Sequence, residues 1–252
     1  MNPRTLLVDI GNTRAKWTLL QGARMGRGDV VVHEGDAAAL AELVRRAGQQ
    51  VSRVVVVSVA SEKLNRALAS AARRQWKVTP EFMKSSRRAY GVTNGYRDVW
   101  RLGVDRWVAV IGAHALSKGR DVLVANVGTA LTIDLVTALG KHRGGAIIPA
   151  PTTMVESLLA GTNGIRRRAR GLRPTTKSLF AADTASALAA GSAFAAAAFI
   201  DRAVTEAAGK TGRAPLLLLS GGGADGLRRH LKTRARLVPD LVLRGLAVCA
   251  GD

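Results

Sequence analysis

The chain has one cysteine, Cys249, in 252 residues, so no disulfide can form within it, and its Cys and His residues nowhere take zinc spacing. Aromatics make up only 4% of it, too few for a base-stacking platform. No run of 18 consecutive apolar residues occurs. The nearest stretch, 185–204, is mostly alanine and is broken by Gly191, Ser192 and Asp201, which reads as a tightly packed soluble helix with no membrane partner. The opening MNPRTLLVDIGN is too short in apolar residues for a signal peptide, and with a single cysteine this points to the cytoplasm. A Walker A pattern is missing, which disfavours P-loop chemistry. Acidic residues number 18 against 38 Lys and Arg, a formal charge of +20. Most of those cations are arginines scattered along the chain, dense only at 166–173 and 228–236. Scattered arginines attract phosphate and small anions without reading base edges, so no specific nucleic-acid partner is expected.

What the chain does contain is a repeat. Residues 6–20 and 122–136 each carry a β-branched run, a Gly-centred turn and a second apolar run, with Asp9 aligned to Asn126 and Gly11 to Gly128. Such runs about a short turn predict β-hairpins, and glycine at the turn lets backbone N–H groups approach an anion. Helical spacing follows at 36–50, a buried strand at 51–59, and a helix at 61–77 with Ser61 as N-cap. Residues 89–98 read as a loop and 102–116 as an amphipathic helix. The boundary between halves falls at 119–121, giving segments 1–118 and 119–252. In the second, a Gly-Pro-rich stretch at 144–151, a helix near Val155, a basic loop, the alanine helix, a strand at 216–219 and a short βα finish make the class α/β.

Three motifs carry chemistry. Asp9, Gly11, Asn12, Thr13 and Lys16 form D-x-G-N-T-x-x-K: a carboxylate at a strand end can hold magnesium or its water shell, while hydroxyl, turn amides and ammonium face phosphate. Gly221 to Gly226 match G-x-G-x-x-G, with Asp240 downstream where a ribose-binding acid might stand. Only about thirty residues follow, too few for a doubly wound dinucleotide domain, and a glycine turn opening a helix can equally bind the phosphates or adenosine of ATP. Asp105 and Arg106, at a helix start after Tyr96 and Gly103, can divide labour between accepting a proton and gripping a carboxylate. From those two residues alone, physical chemistry favours the plainer reading of an ordinary ion pair at a helix N-terminus. His33, His114, His142 and His230 have no consistent spacing with acids and read as structural or exposed.

The ordered set Asp9 to Lys16, Gly91-Val92-Thr93-Asn94 with Tyr96, Leu102 to Trp107, Gly128 to Asp134, Gly144-Gly145 with Ile148-Pro149, Asp183-Thr184 with Gly191, and Ser220 to Ala224 resembles type III pantothenate kinase over nearly the whole chain. The resemblance implies two ribonuclease-H-like halves with facing phosphate-binding hairpins. It also implies ATP-dependent phosphorylation of the primary hydroxyl of pantothenate, the first step toward coenzyme A, in a homodimer. By resemblance ATP is bound by Asp9, Ile10, Gly11, Asn12, Thr13, Arg14, Ala15, Lys16 and Thr129, and pantothenate by Tyr96, Gly103, Val104, Asp105, Arg106 and Thr184. Asp105 is the implied proton acceptor and Asp9 the magnesium ligand, directly or through water. A monovalent cation, potassium or ammonium, is implied at position 126, where the family usually carries aspartate and this chain has Asn126. Val99 likewise replaces a usual proline. Competing readings are a transcription-accessory or regulatory protein on a kinase-like scaffold, and a kinase for another small acceptor.

Overall fold

The computed structural model describes residues 4–251, so the outer ends of the two expected segments, 1–3 and 252, lie outside the described residues. Two compact units are present. Unit 1 holds the residues up to Lys118, then Leu139–His142 and the chain from Asp240 onward; unit 2 holds Gly119–Ala138 and Arg143–Pro239. A single cut after Lys118 therefore omits two returns to unit 1. Neither return is visible as a shift in composition, because each is made by packing or hydrogen bonding to residues more than forty positions away.

Unit 1 runs β1 (Arg4–Ile10), β2 (Arg14–Gln21), β3 (Arg24–Met25), β4 (Asp29–Val32), α1 (Ala38–Ala47), β5 (Arg53–Ser58), α2 (Glu62–Trp76), β6 (Glu81–Phe82), β7 (Arg88–Ala89), β8 (Val92–Thr93) and α3 (Val104–Leu116). Its sheet has the order β3-β2-β1-β5-β6, with β4 also on β2. The β1–β2 pair is antiparallel and β1–β5 parallel, which buries β1 in the middle. Side chains alternate across the sheet. Leu6, Val8 and Ile10 enter a core with Leu40, Leu43, Leu64 and Leu68 of α1 and α2. Leu7 and Asp9 therefore point to the opposite face.

Unit 2 runs β9 (Val122–Val127), β10 (Ala130–Val136), β11 (His142–Pro149), α4 (Pro151–Gly161), α5 (Asn163–Ala169), α6 (Thr184–Thr211), β12 (Leu216–Ser220), α7 (Ala224–Arg228) and β13 (Ala235–Leu237), before α8 (Leu241–Ala250) returns to unit 1 and packs on α3 and β1. The sheet order β11-β10-β9-β12-β13 repeats that of unit 1. Leu123, Ala125 and Val127 pack with Ala196, Ala197 and Ile200 of α6, where alanine permits close approach of helix to sheet. The Gly-Pro-rich stretch forms most of strand β11 and ends on Pro151, the first residue of α4, and half of the basic loop is helix α5. Its Arg166 donates to the carbonyls of Leu159 and Ala160 at the end of α4. Part of the arginine excess is thus used within the fold. Ser61 holds the N-cap position of α2 but makes no side-chain capping bond.

Candidate active site

The turn of the first hairpin is braced through its backbone. Gly11 N donates to the Arg14 carbonyl at 2.9 Å, His33 N and Glu34 N donate to the Thr13 carbonyl, and Nε2 of the buried His33 lies 3.0 Å from the Gly11 carbonyl. Asn12, Thr13 and Arg14 are exposed on it. Ile10 and Ala15 are fully buried and pair with each other in the ladder, so neither of these two expected nucleotide contacts presents a surface. Asp9 and Lys16 are cross-strand partners in register and share one face. Lys16 nevertheless places its Nζ 3.0 Å from Asp240 Oδ1, at the start of α8. Asp240, whose sequence position suggests a ribose contact, stands in unit 1 as the partner of this lysine.

The Asp9 carboxyl is pushed up to about 7, first by burial and then by the charge of Asp105; Asp240 adds to the rise and Lys16 opposes it. Among the described residues no hydrogen bond or ion pair reaches it. A buried carboxylate without a partner can take a divalent cation directly or through water, but among the described residues no group of three or more acids, histidines or cysteines gathers there as a ready-made metal cage. The same shift has a consequence for stability. In the free protein the folded state keeps a proton that the unfolded chain, with its ordinary value of 3.8, gives up. Stability from Asp9 is therefore present at low pH and falls as pH rises from about 4 to about 7, then levels off. Asp9→Asn should gain on the unmodified protein in urea midpoint across that window; parallel midpoints would contradict the assignment.

The loop expected to hold the acceptor is assembled by α3 and the strands before it. Asp105 lies in the first turn of α3, half-buried, its Oδ1 accepting from Arg106 N at 2.8 Å. A Cβ on Gly103 would lie 2.7 Å from that oxygen, so glycine here leaves the carboxylate room. Arg106, 7% exposed, donates from Nη1 to the Tyr96 hydroxyl at 3.0 Å and lies over its ring. Tyr96 stacks on His142, ring centroids 6.0 Å apart, and its N–H donates to Asn94 Oδ1. Arg87 ties the loop together, donating to the carbonyls of Asn94, Tyr96 and Arg97 at 3.1, 2.7 and 2.6 Å. The return at Leu139–His142 is stitched to the same loop by Thr93 N donating to the Gly140 carbonyl. Gly140, at φ 74°, must be glycine: a Cβ would fall 1.9 Å from the Gly91 carbonyl oxygen.

In unit 2 the second hairpin has a turn one residue shorter than the first. Gly128 N donates to the Ala130 carbonyl, and Asn126 pairs across the ladder with Thr132. The sequence repeat is therefore in step through the glycine and one residue out of step beyond it. Asn126 is half-buried, flanked by Thr132 on one side and Ser220 on the other. Thr129 is exposed at the turn, and its carbonyl accepts from the Thr153 hydroxyl and Ala150 N. Thr184 opens α6, directly after the N-cap Asp183, whose carboxylate accepts from Ser186 N and is held below its usual range by hydrogen bonds to Ser186. Packing explains two of the glycines after β12, since a Cβ on Gly221 would lie 2.3 Å from the Val127 carbonyl oxygen and one on Gly223 2.7 Å from the Val127 side chain, whereas Gly222 and Gly226 face open space.

Unit 1 thus brings together Asp9, Gly11 to Lys16, Tyr96, Gly103, Val104, Asp105 and Arg106, while Thr129, Asn126 and Thr184 belong to unit 2. Sequence reasoning missed Arg87, while His33 and His142, two of the histidines read as structural or exposed, are buried supports of these loops. All three act through backbone carbonyls or ring stacking, which leave no residue-type pattern.

A family model described as type III pantothenate kinase matches residues 5–206. The type III pantothenate kinase of Nitrosococcus oceani is 34% identical over 253 residues, covering 98% of this chain and 94% of its own. That of Stenotrophomonas maltophilia strain R551-3 is 39% identical over 241 residues, covering 96% and 95%. Among solved structures, a putative 2-dehydro-3-deoxygalactonokinase from Sinorhizobium meliloti aligns with TM-score 0.60 at 13% identity, covering 98% of this chain and 97% of its own. The ethanolamine utilization protein EutJ from Carboxydothermus hydrogenoformans aligns with TM-score 0.56 at 13% identity, covering 98% and 90%. At such identity these two show the fold alone.

Proposed function

The chain belongs to the type III pantothenate kinase family and is an ATP-dependent pantothenate kinase of coenzyme A biosynthesis, and from that premise we propose how its residues divide the work. Asp105 accepts the proton of the primary hydroxyl as its oxygen attacks the γ-phosphorus and the bond to the leaving ADP oxygen breaks, giving 4′-phosphopantothenate and ADP. Arg106, oriented by Tyr96, grips the pantothenate carboxylate as a fork, with Gly103, Val104 and Thr184 completing the acceptor contacts. The amides and hydroxyl of the turn Gly11 to Thr13, with Lys16, hold the ATP phosphates, and Thr129 adds a contact. Asp9 would hold magnesium, directly or through water, and the ion would there offset the charge of the phosphates. The observation that carries this reading is the meeting of Asp9 and Asp105 in one unit, close enough that the charge of one raises the other. A coupled ADP-release assay with and without pantothenate tests it; release indifferent to pantothenate would overturn it.

Position 126 governs the proposed monovalent cation. Asn126 with the neighbouring Thr132 and Ser220 offers neutral oxygens only, whereas a carboxylate would add a full charge. Potassium is expected to activate weakly or not at all against sodium at equal ionic strength, and Asn126→Asp to confer activation. Strong potassium activation unchanged by Asn126→Asp would show that this residue is not the deciding ligand.

A homodimer is proposed through unit 2. Helix α4 buries none of its residues, Leu158 on it and Ile147 on β11 are exposed, and only 39% of the most apolar window of α6 is buried. By length and composition α6 could cross a membrane. A second copy of the chain covers this surface instead in the present reading, in the cytoplasm. Sedimentation should give twice the chain mass, and Leu158→Glu should return it to one.

A further inference from the structure

We propose that Asp240 is a positioning residue for phosphoryl transfer: it holds the Lys16 ammonium off the Asp9 carboxylate and aims it for the nucleotide phosphates. The inference rests on the reading of Lys16 as a phosphate ligand. In an antiparallel ladder, opposite charges directly across from each other pair by default, and Asp9 stands directly across from Lys16. The ammonium lies instead 3.0 Å from an acid 224 residues further on.

Asp240 is not there as a helix cap. It occupies the N-cap position of α8, where aspartate ordinarily accepts from a backbone N–H of the first turn, yet its side chain makes no capping bond. Its backbone sits at φ 53°, ψ 43°, in the left-handed region that a non-glycine residue adopts only when its surroundings impose it. Those surroundings are the anchored helix behind it. Gly245 of α8 lies so close to α3 that a Cβ would fall 2.0 Å from the Val108 carbonyl oxygen, and Arg244 N donates to the Asp240 carbonyl. The helix that carries Asp240 is thus fixed against the helix that carries Asp105.

The pair is also exchangeable. Both side chains are about a third exposed, 36% and 33%, and an ion pair in contact with water is held weakly enough for a phosphate to compete. Without the Asp240 carboxylate, the nearest acid across the ladder is Asp9. Lys16 then neutralises the group that receives the divalent cation, and ammonium and carboxylate are lost to the nucleotide together.

A double-mutant cycle tests this on the full chain. Titration calorimetry follows binding of a β,γ-imido ATP analogue with magnesium, and steady-state kinetics give separate KM values for ATP and pantothenate. Asp240→Asn, and Asp240→Gly as a second variant whose backbone suits the left-handed region, should each weaken analogue binding about tenfold, the scale of coupling between contacting residues, and leave the pantothenate KM unchanged. In a Lys16→Met background neither should weaken binding further. Wild-type analogue affinity in both Asp240 variants, with Lys16→Met still impaired, overturns the inference and leaves the lysine reading standing. Additive losses in the double variants overturn it as well, because Asp240 would then act by another route. Full affinity in Lys16→Met removes the reading beneath it.

Discussion

Asp105→Asn is expected to fold and to bind nucleotide while turnover falls about a hundredfold or more, the scale of a lost general base. The isosteric amide keeps an oxygen to accept from Arg106 N, so the start of α3 is undisturbed. What disappears is the basicity and the negative charge. Phosphoryl transfer is largely dissociative, so part of the loss comes from poorer alignment of the hydroxyl and not from proton transfer alone. The charge has a second readout. Asp105 helps to raise Asp9, so in Asp105→Asn the Asp9 carboxyl should ionise at lower pH, and the pH at which magnesium nucleotide binding reaches half strength should shift down with it. Turnover like the unmodified enzyme in a folded, purified variant would remove Asp105 from the chemistry.

Gly245→Val should destabilise unit 1 by about 3 kcal/mol or more, the upper range for overpacking a core. The added Cβ would meet the Val108 carbonyl oxygen at 2.0 Å and its carbonyl carbon at 2.8 Å, and Gly112 on the facing helix is equally tight, with Gly245 N 2.8 Å from its own hypothetical Cβ. Both obstacles are backbone, so no rotamer change relieves them. Helices α3 and α8 must separate, and the side chains of Asp105, Arg106 and Asp240 move with them. A urea denaturation series measures the loss of stability, and a midpoint close to that of the unmodified protein would show that the crossing yields more easily than the geometry allows.

Much of this protein is readable from local chemistry. Period-2 apolar runs around Gly11 and Gly128 announce both hairpins, whereas the acceptor role of Leu102 to Trp107 comes from the resemblance, because a carboxylate and a guanidinium at a helix start read by themselves as an ordinary ion pair. The strand at 144–149 escaped notice since its glycines and proline suit an exposed edge as well as a turn. The step between the hairpins beyond Gly128 comes from a turn one residue shorter, and it is fixed by the ladder pairing, which sets Lys16 against Asp9 and Thr132 against Asn126.

Sequence by itself determined the α/β class and, through an ordered set of motifs from Asp9 to Ala224, the family, since those depend on residue type and spacing along the chain. Tertiary structure alone decided that α8 belongs with the first unit, that Lys16 turns to Asp240 instead of to Asp9, and that Arg87, His33 and His142 hold the loops in place. The reason is physical. A carbonyl oxygen or a neighbouring carboxylate accepts from whichever donor the packing delivers, and packing sums many contacts of low sequence specificity between segments as far as 224 residues apart.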